Sequence, residues 1–339
     1  MSIYTVLVFS VIFFILSFFL TYYLIHYAIK KDIIDHPNER SSHDIPTPRG
    51  GGLSIVVSLI ACTVFLFFKN EFAISNLSIL GLGVLIISIV GLVDDVVNLN
   101  AVTRAILYLA ASATLVLYSV SNIYDYSLMN ILVVSIFIIF ISWLTNLFNF
   151  MDGADAIAGI QTIAAAFPAG LLLYITNERE TALLCFTLAA STAGFLVWNW
   201  PPAKIFMGDV GSCTIGYFFG GIIVINYLQN SLSIYIWLVL LSFFIVDATL
   251  TLIKRMVNKE KWYQAHRSHA YQRYLQMGYT HKQLAIIIAL FSMLILWPMT
   301  YLAYKIPEIQ LYITTSIYLF LSFIWYFIQQ RYKKHYSND

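Results

Sequence analysis

A chain of 339 residues that is 60 % hydrophobic and only 11 % charged, with a mean hydropathy of +0.79, is excluded as a soluble domain and reads as a polytopic all-α membrane protein. The net charge of +2 selects no partner by itself, and no nucleic acid is expected. Cys62, Cys185 and Cys213 sit in or beside apolar runs, which leaves neither a disulfide framework nor a zinc ligand set.

Apolar runs predict eleven spans, roughly 4–29, 51–68, 76–93, 103–121, 128–146, 156–176, 181–198, 212–228, 232–253, 282–304 and 310–329. Each is about long enough to cross a hydrocarbon core of about 30 Å. The first lacks a basic leading region and is followed by Lys30-Lys31, so it is expected to remain as a membrane helix and not to be removed as a signal peptide. Sixteen of the 19 Lys and Arg residues fall in one set of connections; Lys69, Arg179 and Lys305 fall in the other. That asymmetry predicts a cytoplasmic first set, an outside N-terminus and a cytoplasmic C-terminus. No internal repeat or soluble domain is apparent, so residues 1–339 are read as one transmembrane domain. The outside loops carry Glu71, Asp125, Glu178, Glu180 and Glu308 without pattern and read as solvated turns.

The inside loops, at about 30–50, 94–103, 146–156, 199–212 and 254–281, are different. The first ends in Thr47-Pro48-Arg49 and three glycines that open a helix. Glycine amides and a helix N-terminus suit an anion, and Arg49 offers a fork to phosphate; a plain glycine loop accounts for the pattern equally well. Asp94 and Asp95, followed by Asn98, are adjacent carboxylates that repel unless a cation lies beside them, and a hard cation such as Mg²⁺ takes oxygen ligands. A solvated helix end is the alternative, although the helix dipole disfavours acids at a C-terminus. Arg104 follows within reach of the same face.

The sequence Asn146-Leu-Phe-Asn149-Phe-Met-Asp152-Gly-Ala-Asp155 spaces four polar groups three residues apart at the mouth of a bilayer-length helix. On a helix they would lie near one another, and they are costly there without partners; the alternative is a polar helix end facing water. Asp209, between Gly208 and Gly211, has the flexible setting of a carboxylate that points into a site, or of a simple turn. Asp247 lies well inside an apolar segment, where an acid is a functional candidate or a structural tie. His266, Arg267, His269 and Arg273 occupy the longest inside loop. On a helix, His266, His269 and Arg273 would share a face suited to a pyrophosphate or a sugar, unless that face simply meets anionic lipid. Taken together, these clusters are the parts for Mg²⁺ and a diphosphate at one membrane face. With no soluble domain, the second substrate is expected to come through the lipid.

The combination Asp94-Asp95-x-x-Asn98, Asn146-x-x-Asn149-Phe-Met-Asp152-Gly-x-Asp155, Phe206-Met-Gly-Asp209-x-Gly-Ser212 and the His266/His269 loop resembles the polyprenyl-phosphate N-acetylhexosamine-1-phosphate transferases, a superfamily within glycosyltransferase family 4. The resemblance covers nearly the whole chain in matching order. The span count and the His266-Arg-Ser-His-Ala-Tyr-Gln-Arg273 loop look more like the branch that initiates O-antigen, a part of lipopolysaccharide, in the bacterial inner membrane.

The resemblance implies transfer of an N-acetylated sugar 1-phosphate from a UDP-sugar to undecaprenyl phosphate, with UMP leaving. The sugar would be of the GlcNAc, FucNAc or QuiNAc type, the cofactor Mg²⁺ or Mn²⁺, and a homodimer is an option. It implies Asp94, Asp95 and Asp209 at the metal, with Asp94 and Asp95 orienting or deprotonating the lipid phosphate. Asp152, Asp155, His266 and His269 would join them in catalysis. Thr47, Arg49, Asn149, Asp152, Asp155, Arg267 and Arg273 would bind nucleotide and phosphate.

The sequence departs from the family pattern in two places. Asn98 replaces a third acid, and Ala156 replaces a glycine; the methyl of Ala156 is expected to be tolerated only if φ there is negative. Two other readings make different demands on the sequence. An Mg²⁺-dependent intramembrane prenyltransferase would show two Asp-x-x-Asp sets, and a secondary transporter would place its acids at the bilayer midplane in two repeated halves.

Overall fold

A computed structural model describes residues 1–37, 45–70, 74–121, 127–261 and 266–336. Glu71 and Asp125, named above among the loop charges, lie outside the described residues. Helix α1 (Ile3–Lys31) leads into a two-residue ladder, β1 (Ile34–Asp35) against β2 (Thr47–Pro48), antiparallel. Then follow α2 (Leu53–Lys69), α3 (Asn76–Val97), α4 (Ala101–Val120), α5 (Leu128–Met151), α6 (Ile157–Ile175), α7 (Arg179–Asn199), α8 (Asp209–Leu228), α9 (Ile234–Leu240) and α10 (Ser242–Val257). The chain closes with α11 (Ala270–Gln276), α12 (His281–Phe291), α13 (Trp297–Lys305) and α14 (Gln310–Tyr336).

The helices begin where the sequence supplies caps. Ser75, Asn100 and Ser127 accept the backbone N–H of Ser78, Thr103 and Asn130, and Thr280 with Gln283 closes a capping box on α12, each satisfying donors that a first turn leaves free. Among the described residues nine segments are long and apolar enough to cross a bilayer, a tenth if α9 and α10 count as one, and α2 is a shorter apolar helix of 17 residues. Each of the eleven predicted spans thus has a helix at its place. The ninth differs from expectation: it is bent by 77° between α9 and α10. The bend frees backbone groups inside the bundle, and Gln161 of α6 donates its side-chain amide to Leu240 O at 2.8 Å. Pro168 inside α6 acts in the same way. A proline lacks the N–H that would bond Ala164 O four residues earlier, and the indole of Trp297 donates to that oxygen at 2.9 Å.

Helix α8 is the axle. It is buried almost throughout, whereas α1 and α14 turn Tyr4, Phe19, Phe323 and Phe327 outward, the expected faces for lipid. Apolar contact alone cannot hold helices together in lipid, which is as apolar as they are, so close backbone approach matters. Gly216 and Gly220, one turn apart on α8, supply it. A Cβ at Gly216 would sit 2.4 Å from Leu144 O, and one at Gly220 would sit 2.9 Å from Ile141 Cα. This seam presses α8 onto α5 and places the start of α8 beside the end of α5.

Candidate active site

Both helix ends carry acids, and the fold gives each a distinct surrounding. Asp94 and Asp95 are one residue apart on α3, so their side chains diverge by about 100°. Asp95 turns to the start of α8 and accepts the backbone N–H of Asp209 at 3.1 Å and of Val210 at 3.2 Å, a carboxylate at a helix N-terminus where the dipole favours it. Arg49 approaches from the glycine loop: its guanidinium donates to Asp95 O and lies 3.9 Å from Asp95 Oδ1. Asp94 turns the other way. It accepts Leu99 N–H at 2.6 Å and an Arg104 guanidinium N–H at 2.8 Å. Arg104 also stands 3.6 Å from Asp209 Oδ2, while Asn149 of α5 donates to Asp209 Oδ1 at 2.7 Å. Gly208, at φ +76°, makes this junction possible, because a Cβ there would sit 2.8 Å from Asp95 Oδ2.

The polar ladder of the sequence is split by the end of α5 at Met151. Asn149 faces Asp209, whereas Asn146 faces a different surface, described below. Asp152 caps the helix and lines the cavity with no hydrogen-bond donor or cation on its carboxylate among the described residues. Its burial, and then the charges of Asp209, Asp95 and Asp155, hold its pKa well above the usual carboxylate range. Asp155 is tied: one oxygen accepts Ala203 N–H at 3.1 Å and the other lies 3.2 Å from His281 Nδ1. The next residue corrects a sequence expectation. Ala156 is tolerated at φ +66°, not at negative φ. Its N–H is held by Asn199 Oδ1 at 2.9 Å, and the left-handed conformation costs roughly 1–2 kcal/mol that the surrounding contacts offset.

These groups line a polar cavity of about 250 Å³ that includes Asp35, Arg49, Asp95, Asn149, Asp152, Asp155, Phe206, Asp209, Gln272 and His281. Asp35, Gln272 and His281 were not singled out from the sequence. His281 lies more than 100 residues beyond Asp155, and its only local signal was the Thr280–Gln283 capping box. Of the two readings of the glycine loop, an anion cradle is not offered by Gly51 and Gly52, which donate their amides to Phe206 O and Met207 O, each at 2.9 Å. Thr47 is buried with its hydroxyl on Ile45 O, so of Thr47 and Arg49 it is Arg49 that reaches the cavity.

His266, Arg267, His269 and Arg273 also stand outside the lining. The two histidines precede α11 and do not share its helical face. Their rings stack at 4.9 Å, and burial together with His269, Arg255 and Arg273 pushes the His266 pKa down to about 3. His266 is therefore neutral near pH 7 and is no cationic clamp. Arg273 stacks on Tyr332 at 3.9 Å. Asp247 is the structural anchor of the segment, accepting the N–H groups of Ala270 and Tyr271 at 2.8 and 3.1 Å and the Thr251 hydroxyl at 3.1 Å. Tyr271 in turn donates to Phe150 O at 3.1 Å, so α11 braces the end of α5 and brings Gln272 to the cavity.

A second cavity, about 660 Å³ and mainly apolar, lies on the other side of α5. It is lined by Val102, Ile106, Leu109 and Ile139, with Arg104, Tyr108, Ser142 and Asn146 as its polar groups. Arg104 is shared: it lines this groove while holding Asp94 and approaching Asp209.

For a divalent cation, no three His, Cys, Asp or Glu among the described residues stand in the geometry of a closed metal site. The donor chemistry nevertheless suits Mg²⁺, which takes one or two carboxylates and completes its shell with water and substrate phosphates. Five aspartates line the polar cavity against one arginine, and Asp152 has no counter-charge. Asp209 and Asp152 present the available oxygens. Both Asp94 oxygens are already engaged by Arg104 and Leu99, and Asp94 lies outside the lining.

A membrane-embedded helical bundle with an acid-rich pocket beside a lipid-facing groove defines the class. The family model described as glycosyl transferase family 4 matches residues 76–227, the segment that contains Asp94, Asp95, Asn149, Asp152, Asp155 and Asp209. Over 279 residues the chain is 29 % identical to the probable undecaprenyl-phosphate N-acetylglucosaminyl 1-phosphate transferase of Bacillus subtilis, covering 78 % of this chain and 75 % of that protein. It is 25 % identical over 288 residues to the undecaprenyl-phosphate alpha-N-acetylglucosaminyl 1-phosphate transferase of Yersinia pestis, covering 79 % and 76 %. It is 31 % identical over 194 residues to the phospho-N-acetylmuramoyl-pentapeptide-transferase of Dictyoglomus thermophilum, covering 53 % and 60 %. These matches support a place in the polyprenyl-phosphate N-acetylhexosamine-1-phosphate transferase superfamily.

Proposed function

We propose that the protein transfers an N-acetylated sugar 1-phosphate from a UDP-sugar to undecaprenyl phosphate, releasing UMP and leaving undecaprenyl-pyrophosphoryl-sugar. In this reading the reaction initiates O-antigen or a related envelope polysaccharide, in the bacterial inner membrane, with the acid-rich end facing the cytoplasm. The observation that carries it is Arg104, one side chain that belongs both to the apolar groove and to the acid cluster. An isoprenoid chain lying in the groove along α4 and α5 would bring its phosphate to that guanidinium, which can fork two phosphate oxygens. The nucleotide diphosphate would enter the polar cavity from the opposite side of α5, where Arg49, Asn149, Gln272 and His281 offer donors.

Asp209 and Asp152 would hold Mg²⁺, or Mn²⁺ in its place, with Asp95 fixing the start of α8 so that Asp209 is correctly aimed. When bound, the cation supplies charge neutralisation of the diphosphate and of the departing UMP. Positioning and electrostatics then account for most of the catalysis, as in other phosphoryl transfers. The relatives' names support a GlcNAc-type sugar, and the resemblance of the His266–Arg273 loop to the form found in transferases for 6-deoxy sugars supports a 6-deoxy N-acetylated one.

The test is to incubate membranes containing the protein with undecaprenyl phosphate, Mg²⁺ and a panel of UDP-sugars, and to identify the released nucleotide. UMP, formed with one or two donors and abolished by EDTA, is expected. Release of UDP would mean glycosyl transfer and overturn the reading.

A further inference from the structure

A third cavity lies behind α11, away from both substrate surfaces. It measures about 260 Å³ and is almost wholly apolar, walled by Phe243 and Val246 of α10, Tyr271 and Tyr274 of α11, Ile287, Ile288 and Phe291 of α12, and Ile324, Trp325 and Phe327 of α14. Ile287 and Phe327 are about half exposed on the outer surface of the bundle, so the cavity opens sideways toward lipid. Its floor touches the end of α5: Tyr271 lines it and donates to Phe150 O, two residues before Asp152.

The rim is basic. Arg331 lines the cavity mouth. Lys254 stands 5.7 Å from the Trp325 ring centroid and donates to the neutral Gln329 at 2.8 Å. Arg273 stacks on Tyr332, the neighbour of Arg331. Lys333 and Arg273 both lie within electrostatic reach of Lys254. None of these four cations forms an ion pair among the described residues, and Glu260, the acid that acts on Lys254 and Arg273, is itself paired with Arg255 at 2.8 Å. Like charges gathered without counter-ions at a membrane surface call for an anion, and a basic pocket between membrane helices is the arrangement that takes anionic lipid headgroups.

We infer that the cleft between α10, α11, α12 and α14 is a binding site for an anionic glycerophospholipid, with one acyl chain in the cavity and the phosphate at Arg331 and Lys254. Its occupant is distinct from the polyprenyl acceptor. The acceptor needs its phosphate at the acid cluster, and α11 separates this cavity from that cluster. The bound chain packs against Tyr271 and Tyr274 and so steadies α11, which braces the end of α5. The inference stands apart from the reaction proposed above, because binding is read without turnover.

The test is native mass spectrometry of the protein released from nanodiscs of phosphatidylcholine containing phosphatidylglycerol, alongside hydrogen exchange in the same nanodiscs. Wild type should retain one phosphatidylglycerol more than Arg331→Gln, and one more than Ile287→Trp, which fills the cavity from its exposed edge. Adding phosphatidylglycerol should slow exchange of the Ala270–Gln276 amides several-fold in wild type and in neither variant. Equal retention in all three proteins would overturn the proposal, as would equal retention of phosphatidylcholine. Displacement of the retained lipid by undecaprenyl phosphate would also overturn it, by making the cleft an acceptor site.

Discussion

Asn149 and Asp209 lie 60 residues apart in sequence and meet at 2.7 Å, amide to carboxylate, across the seam between α5 and α8. The bond fixes which oxygen of Asp209 remains for a cation. Partners that orient a metal-binding group typically contribute about 10–100-fold to affinity or activity. Asn149→Ala should therefore lower turnover about 10–100-fold and raise the Mg²⁺ concentration needed for half-maximal rate. Asp209→Asn should abolish turnover while the protein still inserts and keeps its thermal transition. Near-normal turnover in Asp209→Asn would remove Asp209 from the proposed metal site.

Arg104 is the group shared by the groove and the acid cluster. Arg104→Gln removes the proposed fork for a lipid phosphate and leaves Asp94, a buried acid, without its cation. Turnover should fall by at least about 100-fold, the magnitude seen when one oriented charge-stabilising donor is lost. The KM for undecaprenyl phosphate should rise more than that for the UDP-sugar. An equal rise in both would place Arg104 outside the acceptor site.

The depressed pKa of His266 sets a pH window. Its imidazolium is disfavoured in the folded protein, where the pKa is about 3, against about 6.5 in an unfolded chain. Between those values the unfolded chain binds more protons, so stability is present above about pH 6.5 and is lost as pH falls toward 3. Thermal unfolding midpoints should drop through that range, and His266→Gln should flatten the slope. An unchanged slope in the variant would assign the acid sensitivity to other groups.

Asp247 holds two amides of α11. Asp247→Ala leaves those buried donors unpaired, at a cost of about 1–3 kcal/mol each, and should speed hydrogen exchange of Ala270–Gln276 by ten-fold or more. Asp247→Asn keeps one acceptor oxygen and should fall between the two. If the alanine variant exchanges like wild type, α11 is held by other contacts.

The membrane class and the places of the spans were legible because a 20-residue apolar helix has a composition that few other structures share. The convergence of Asp95, Asn149, Asp152 and Asp209 was legible because the ends of the third and fifth spans and the start of the eighth fall at one predicted membrane face. The division of labour between Asp94 and Asp95 was not, since it depends on which partner each meets at a 100° offset. Nor was the 77° bend at Leu241, because Ile234–Val257 contains no proline or glycine and the compensating donor, Gln161, is remote. The glycines after Arg49 left an anion nest and a plain loop equally open, and the amides of Gly51 and Gly52 are engaged by Phe206 and Met207, a pairing that spans more than 150 residues. His281 and Gln272 reach the cavity only because α11 and α12 fold back over the end of α5.

The placement of α5 between the polar cavity and the apolar groove has a kinetic consequence. In the proposed reaction a water-borne donor and a bilayer-borne acceptor would have separate doors to a common bond, so neither would have to wait for the other. Initial-rate patterns for the proposed reaction should then show random-order addition, with UMP leaving to the aqueous side while the lengthened lipid slides away within the membrane.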